Sequence, residues 1–317
     1  MFPINPLQPF VKNLKKFPFK LPLRFQRINQ YENKKIIMRI KKTIDGNQYL
    51  MTDQNKWVRN FTKPTVPFVD INNTIDPRDH FLFLKNEVQN NLRRYSWIDS
   101  EKFHHPNIVI VSDGFDFQRK QKLLAELPKD VTIIGINGSL AKWELPRSMN
   151  YYVANNPYKD CMKYLPRGKK TYPKCIASAR TNFEFLENYR GTKFKYYPVN
   201  ETSYSTLGIK EVSWQIDDYR NAVCAAIGLA YHFNAEKVLL LCCDDAFKEE
   251  RPGAKKLDNG LWLYPQQEIA HGLIDGNLYW LKNQSYKEIY IGDCSNGPNY
   301  KNSTYICEER IANFWEE

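Results

Sequence analysis

The 317-residue chain has no apolar run near the roughly eighteen residues that a membrane-spanning helix needs. Its opening, with Pro3 and Pro6, lacks the continuous apolar stretch of a signal peptide. A soluble, cytoplasmic protein with neither signal peptide nor transmembrane segment is therefore expected. Cysteines number only seven, at 161, 175, 224, 242, 243, 294 and 307, and several sit inside apolar strand-like runs. An odd, scattered set is not a disulfide framework, so a reducing compartment is the natural setting. Histidine is scarce at five residues. No zinc-type Cys/His spacing occurs, nor a P-loop, a G-x-S-x-G or a G-x-G-x-x-G, and those chemistries are disfavoured.

Acids are nearly missing from the first 44 residues, which hold eleven Lys/Arg against Glu32 alone. That segment carries +10 of the chain's net +11, so the rest is close to neutral. Charge gathered in one arm argues for a tether and against a basic reading face. Pro3, Pro6, Pro9, Pro18 and Pro22 exclude a continuous helix there and make residues 1–33 an extended basic arm. The arm either docks on an anionic surface (nucleic acid, membrane or acidic protein) or straps Phe10, Phe17, Phe19 and Phe25 onto its own core.

The 42% of hydrophobic residues suffices for one large core with a small accessory module. Residues 34–103 read as that module. Apolar and charged residues alternate on either side of Asp45-Gly46, a hairpin signal, and a helix is predicted over His80–Tyr95. Phe81, Leu84, Val88 and Leu92 are expected on its buried face. From 104 to 317 strands and helices alternate, which predicts an α/β, Rossmann-like domain: a mainly parallel sheet with helices on both faces. Strands are expected at Asn107–Ser112, Val131–Ile136, Tyr151–Ala154, Lys174–Ser178, Lys193–Pro198, Lys237–Cys243 and Glu288–Gly292. Helices are expected at Phe117–Leu127, Tyr219–Phe233 and Pro265–Asn283.

Ligands of open parallel sheets bind at the carboxyl ends of the strands. Four predicted strands end there in Asp, Asn or Gly: Asp113-Gly114, Asn137-Gly138, Asn155-Asn156 and Asp244-Asp245. Glycine at the first could let backbone approach a phosphate or ribose, although the same residue types also build plain βα turns. Asp244 or Asp245 would contact substrate or metal, or cap the next turn. Ahead of the apolar helix, Asp218 is the expected N-cap, with Arg220 and Asn221 at the positive helix end, where a phosphate or a simple cap would fit. His104 and His105 are expected in solvent and His232 against the buried helix. His271 follows a polar loop that could bring it over the strand ends as a catalytic group. Cys242-Cys243 reads as inert core.

The run VIVSDGFDF, IIGINGSL, YYVANNP, NAVCAAIGLAYHFNAEKVLLLCCDD and AHGLIDGNLYWL resembles the superfamily of the Maf flagellin glycosyltransferases, the MptE-like 6-hydroxymethylpterin diphosphokinases and the bacterial family-42 sialyltransferases. The resemblance spans about residues 106–295. It implies a nucleotide-sugar site with Asp113-Gly114 at the first strand end, Asn137 on the nucleotide, Asn156-Pro157 as the N-P pair and His271 as general base. The sequence departs from the sialyltransferases in the acid Asp113 and in Arg220-Asn221, where they have a Ser-Gly pair. Tyr264 is the one candidate for their phosphate-binding tyrosines.

The resulting expectation is a glycosyltransferase using a nucleotide-sugar donor and an unspecified acceptor, with no further cofactor and no metal. Two alternatives stand beside it: a diphosphokinase holding Mg²⁺ on Asp113 and Asp244-Asp245, and a silent structural subunit anchored by its arm. A homo-oligomer is compatible with each.

Overall fold

The computed structural model divides the chain into two units, residues 1–62 with 203–210 and residues 63–202 with 211–317. It describes residues 40–42, 48–51 and 57–60 of the first unit, and 77–316 except 94, 99–103, 169–171, 199–214, 217, 220, 245–249, 251–252, 258–259, 264, 285–288 and 296–299. The basic arm, the Asp45-Gly46 turn, Arg220, Asp245 and Tyr264 thus lie outside the described residues.

The first unit holds β1 (Ile40–Lys42), β2 (Gln48–Met51) and β3 (Trp57–Asn60). They pair antiparallel, with Ile40 opposite Leu50 and Met51 opposite Trp57. The alternation thus yields three strands where the turn signal alone predicts a hairpin.

The second unit opens with α1 (Pro77–Leu92) and β4 (Ser96–Trp97). The chain then runs through β5 (Asn107–Val111), α2 (Phe117–Lys120), β6 (Thr132–Ile136), β7 (Tyr151–Ala154), β8 (Lys174–Ser178), α3 (Phe183–Asn188), β9 (Lys193–Pro198) and β10 (Gln215–Ile216). There follow α4 (Ala222–His232), β11 (Lys237–Leu241), a small ladder of β12 (Lys255–Lys256) and β13 (Trp262–Leu263), α5 (Pro265–Gln284), β14 (Tyr290–Asp293), β15 (Thr304–Tyr305) and α6 (Ile311–Glu316).

Ten of these strands form one sheet in the order β10-β9-β8-β7-β6-β5-β11-β14-β15, with β4 also beside β9. Every pairing in it is parallel. Such strands are buried on both faces, hence the unbroken apolar runs. Ile108 and Ile110 of β5, with Val238 and Leu240 of β11, join the core under α4 and α5. Val109, Val111, Leu239 and Leu241 face the other way, onto Phe117, Phe185 and Ile311. The expected Rossmann-like α/β arrangement, helices on both faces, is what the chain forms. Among the described residues no helix is long and apolar enough to cross a membrane.

Several elements differ from expectation for tertiary reasons. The predicted helix over 117–127 is one α-turn followed by a 3₁₀ segment, Gln121–Ala125. There Lys120 is buried, its Nζ donating to the Cys294 carbonyl at 2.7 Å, and Gln121 Oε1 accepts the Glu144 N–H at 3.1 Å. These ties to other segments outweigh regular helical geometry. α4 starts three residues after Tyr219, which sits at φ 41° and cannot continue a right-handed helix. Its N-cap is Asn221, not Asp218, whose buried carboxylate accepts the Tyr196 hydroxyl at 2.9 Å. β11 stops at Leu241 because Cys242 turns to φ 55°. His105, expected in solvent, is half-buried against the Tyr151 and Phe233 rings and shares hydrogen bonds with Tyr151 and Thr132.

The largest difference is α1. Leu92 is exposed and Leu84 and Val88 are half-buried, whereas the buried stripe is Phe83, Asn86, Glu87 and Asn90. The helix lies against turn backbone whose carbonyls have no ladder partners and need donors. Asn86 Nδ2 donates to the carbonyls of Pro157 (2.9 Å) and Arg180 (3.0 Å), and Asn90 Nδ2 to those of Ala179 (2.9 Å) and Thr181 (2.8 Å). Buried Arg180 donates through Nε to Glu87 at 3.1 Å. These bonds put α1 in the large unit, although the sequence reading places it with the small module. Arg180→Ala is expected to lower the unfolding free energy by on the order of 3 kcal/mol in urea titrations, because Glu87 is left buried without its cation. A change below about 0.5 kcal/mol would show the pair to be dispensable.

Candidate functional site

In the sheet order the chain winds outward from β5 through β6, β7, β8, β9 and β10, then crosses back to place β11 on the other side of β5. The strand order reverses between β5 and β11, and a crevice opens at such a switch point. Here it is a cleft of about 590 Å³, walled by the residues that follow β5, β6, β7 and β11 and by the start of α4. Five of the residues picked out at the strand ends line it, Asp113, Gly114, Asn137, Asn155 and Asn156, together with Asn221 from the helix start.

Their local roles are specific. Asp113 Oδ1 accepts the Gly138 N–H at 3.0 Å, and Oδ2 lies 2.9 Å from Lys142 Nζ. A Cβ on Gly138 would fall 2.1 Å from that same Oδ2, so Gly138 is the residue that lets the carboxylate close on backbone. Gly114 donates its N–H to the Cys242 carbonyl at 3.1 Å, and its missing Cβ would lie 2.3 Å from that oxygen. Both glycines thus bring the protein's own strand-end turns together, where the sequence reading reserves the first for a phosphate or ribose.

Asn137 adopts φ 51°, a left-handed conformation that Asn tolerates, and its carbonyl accepts the Tyr152 hydroxyl at 2.8 Å. Asn155 keeps its Nδ2 buried with no hydrogen-bond partner among the described residues. Asn156 Oδ1 accepts the Tyr158 N–H at 2.8 Å in an Asx turn, and its carbonyl accepts the Asn182 N–H at 2.9 Å. Asn221 Oδ1 takes the N–H groups of Val223 (2.8 Å) and Cys224 (3.4 Å). Those are donors that a phosphate at this helix end would use, so the cap occupies part of the anion site expected there.

Asp244 and His271 meet each other but are not among the described residues that line the cleft. Both are buried, and His271 Nε2 lies 2.6 Å from the Asp244 carbonyl, with its ring edge-on to Tyr300 at 5.5 Å. A carbonyl only accepts, so Nε2 carries the hydrogen and the lone pair of the neutral ring is on Nδ1. The turn after β11 is fixed from β14: Cys243 N–H donates to Ser295 Oγ at 3.0 Å, and Ser295 N–H to Asp293 Oδ1 at 2.9 Å. Cys243 lines the cleft, where the sequence places it in the core, and burial pushes its thiol far up, so it stays protonated. Among the described residues no group of three His, Cys, Asp or Glu is placed to hold a metal ion.

Phe83, Tyr158 and Tyr164 also line the cleft and carry no signal in the strand-end pattern. Tyr158 directly follows Asn155-Asn156-Pro157, which is the one hint the sequence offers. Burial, helped by the charges of Asp113 and Asp160, pushes the Tyr164 phenol up to about 12, so it stays a neutral donor across physiological pH.

No family model and no curated protein matches the sequence. Among solved structures, the chain is similar to one described as a MAf glycosyltransferase from Magnetospirillum magneticum, with a TM-score of 0.56 at 14% identity. The alignment covers 74% of this chain and 39% of that one, so this chain matches well under half of the other protein. The likeness is one of fold.

Gly114→Ala is expected to cost about 1–3 kcal/mol in chemical denaturation, since the clash is with backbone and no side chain can yield; wild-type stability in that variant would contradict the close approach. Burial also lifts the Asp293 carboxyl above its ordinary value, against the lowering pull of its hydrogen bonds to Ser295. The folded state then holds that proton more tightly than the unfolded chain. This contribution to stability is complete below the unfolded value near pH ~3.9 and is lost as pH rises through the lifted folded value. Asp293→Asn keeps an acceptor for Ser295 and removes the titration, so its stability relative to wild type should grow with rising pH. A difference between the two that stays constant from pH 3 to about 8 would refute the assignment.

Proposed function

We propose that the chain is a glycosyltransferase-like enzyme that binds a nucleotide-activated sugar across the ends of β5, β6, β7 and β11. The observation that carries this reading is the cleft at the switch point. Its volume is in the range of small-molecule sites, and its polar wall holds the neutral amides Asn137, Asn155 and Asn156 beside an Asp113 carboxylate that Lys142 already pairs. Amides orient a sugar or a base by paired donors and acceptors without demanding a charge. The fold shared with a protein described as a glycosyltransferase supports the same reading.

In this mechanism Asn137 and Asn156 hold nucleotide and sugar. His271 takes the acceptor's hydroxyl proton on Nδ1 while Nε2–H stays on the Asp244 carbonyl. The acceptor oxygen then bonds to the anomeric carbon, and the nucleotide leaves with the electron pair of the broken C–O bond. Neither metal nor further cofactor is required. The Mg²⁺-dependent diphosphokinase reading is the less favoured, because the Asp113 carboxylate is already engaged by Lys142 and Gly138. A binding domain without turnover is favoured by one observation, that His271 bonds Asp244, the chain neighbour of the lining residue Cys243, and is not itself among the described lining residues.

Thermal shift with CMP-, UDP- and GDP-sugars and ATP, with and without Mg²⁺, separates these. One nucleotide sugar is expected to stabilise the protein by about 2.7 kcal/mol at 100 times its Kd, without Mg²⁺. His271→Asn should keep that shift and lower sugar transfer or donor hydrolysis by about 100-fold or more. Stabilisation only with Mg²⁺ would favour the diphosphokinase, binding without turnover in the wild type the silent domain, and no shift with any ligand would overturn the proposal.

A further inference from the structure

We propose that Tyr158 is the platform on which the base of a bound nucleotide stacks, held ready for it by α1; this rests on the reading of the cleft as a nucleotide-sugar site. Tyr158 lies in the cleft wall yet is 43% exposed, more than Phe83 or Tyr164, the other large aromatics among the described residues that line it. An open ring in a concave site offers a flat apolar face to a flat ligand.

The ring's mounting is built from three directions. Its own N–H is bonded to Asn156 Oδ1 at 2.8 Å, which fixes the turn. The carbonyl of the preceding Pro157 accepts Asn86 Nδ2 of α1 at 2.9 Å. Phe83, one turn earlier on α1, meets the Tyr158 ring edge to face, with centroids 6.4 Å apart at 70°. Phe83 is itself buried, with the Arg180 guanidinium 5.5 Å from its centroid, and Arg180 is held by Glu87. The polar stripe of α1 thus has a use in the site: it seats the helix so that Phe83 and Pro157 set the tyrosine. A ring positioned before binding spends little entropy when a ligand arrives.

Asn155, which lines the same cleft, points to the kind of ligand. Its buried Nδ2 has a donor to give and no partner among the described residues. A ligand that lays a π face on Tyr158 and turns an acceptor edge to a neighbouring amide is a nucleobase, whose ring nitrogens and carbonyls lie in the plane of the stacking face. A sugar can also lay a C–H face on a ring, but its hydroxyls are staggered about that face and do not form one planar acceptor edge, and ribose 5-phosphate in the test separates the two.

The test compares CMP, UMP, GMP, AMP and the base-less ribose 5-phosphate by titration calorimetry on the full chain, with Tyr158→Ala and Tyr158→Phe beside the wild type. At least one mononucleotide should bind the wild type tenfold or more tighter than ribose 5-phosphate. Tyr158→Ala should lose about tenfold or more for that nucleotide and leave ribose 5-phosphate unchanged, and Tyr158→Phe should bind as the wild type does. Unchanged nucleotide affinity in Tyr158→Ala overturns the platform while the nucleotide reading stands. So does an equal loss for ribose 5-phosphate, which would mark a role in holding the sugar phosphate, or a loss in Tyr158→Phe, which would mark the hydroxyl. Failure of every probe to bind the wild type overturns the nucleotide reading and the platform with it.

Discussion

The close contact between the ends of β5 and β11 is the constraint on which the rest of the cleft depends. Gly114 gives its N–H to the Cys242 carbonyl, across a gap that no side chain at 114 could share. That bond is possible because Cys242 turns out of its strand at positive φ, and the turn sends Cys243 to the cleft wall and Asp244 toward His271. On the other side of β5, Asp113 reaches back to Gly138 and Lys142 and ties the end of β6 to the same point. Three strand ends are thereby locked by hydrogen bonds between turns, and Asn137 after β6 faces the same cleft as Asn155 and Asn156 after β7.

The same logic extends outward through α1. A helix with an apolar stripe would have left the carbonyls of Pro157, Ala179, Arg180 and Thr181 buried without donors, each an expensive omission. Two asparagines satisfy all four, and the Glu87–Arg180 pair closes the remainder of that face. Specific hydrogen bonds place a helix more sharply than area burial does, and that placement brings Phe83 to the cleft wall. The second wall of the site is thus a product of polar packing.

Much of this was legible in the residues. Tyr151–Ala154, Lys174–Ser178 and Lys193–Pro198 form strands with the limits that the apolar runs indicate. Asp113, Gly114, Asn137, Asn155, Asn156 and Asn221 do share one cleft. Their local employment was not legible. Gly138 reads as a ligand contact but makes room for the Asp113 carboxylate, and Asn221 reads as a phosphate neighbour but caps its own helix. Asn and Asp bind ligands and close turns with the same atoms, so residue type alone does not separate the two uses.

Apolar runs mark the seven inner strands β5, β6, β7, β8, β9, β11 and β14 and the residue types at their ends, because burial on both faces and extended conformation need no knowledge of neighbours. Which of those ends meet depends on the packed fold. The crossover from β10 to β11 brings the turn at 113 against that at 242, and the seating of α1 brings Phe83 to Tyr158. The bonded partners Gly114 and Cys242 are 128 residues apart in the chain and Phe83 and Tyr158 are 75 apart, and they are chosen by backbone bonds and polar side chains that leave no periodic trace in the sequence.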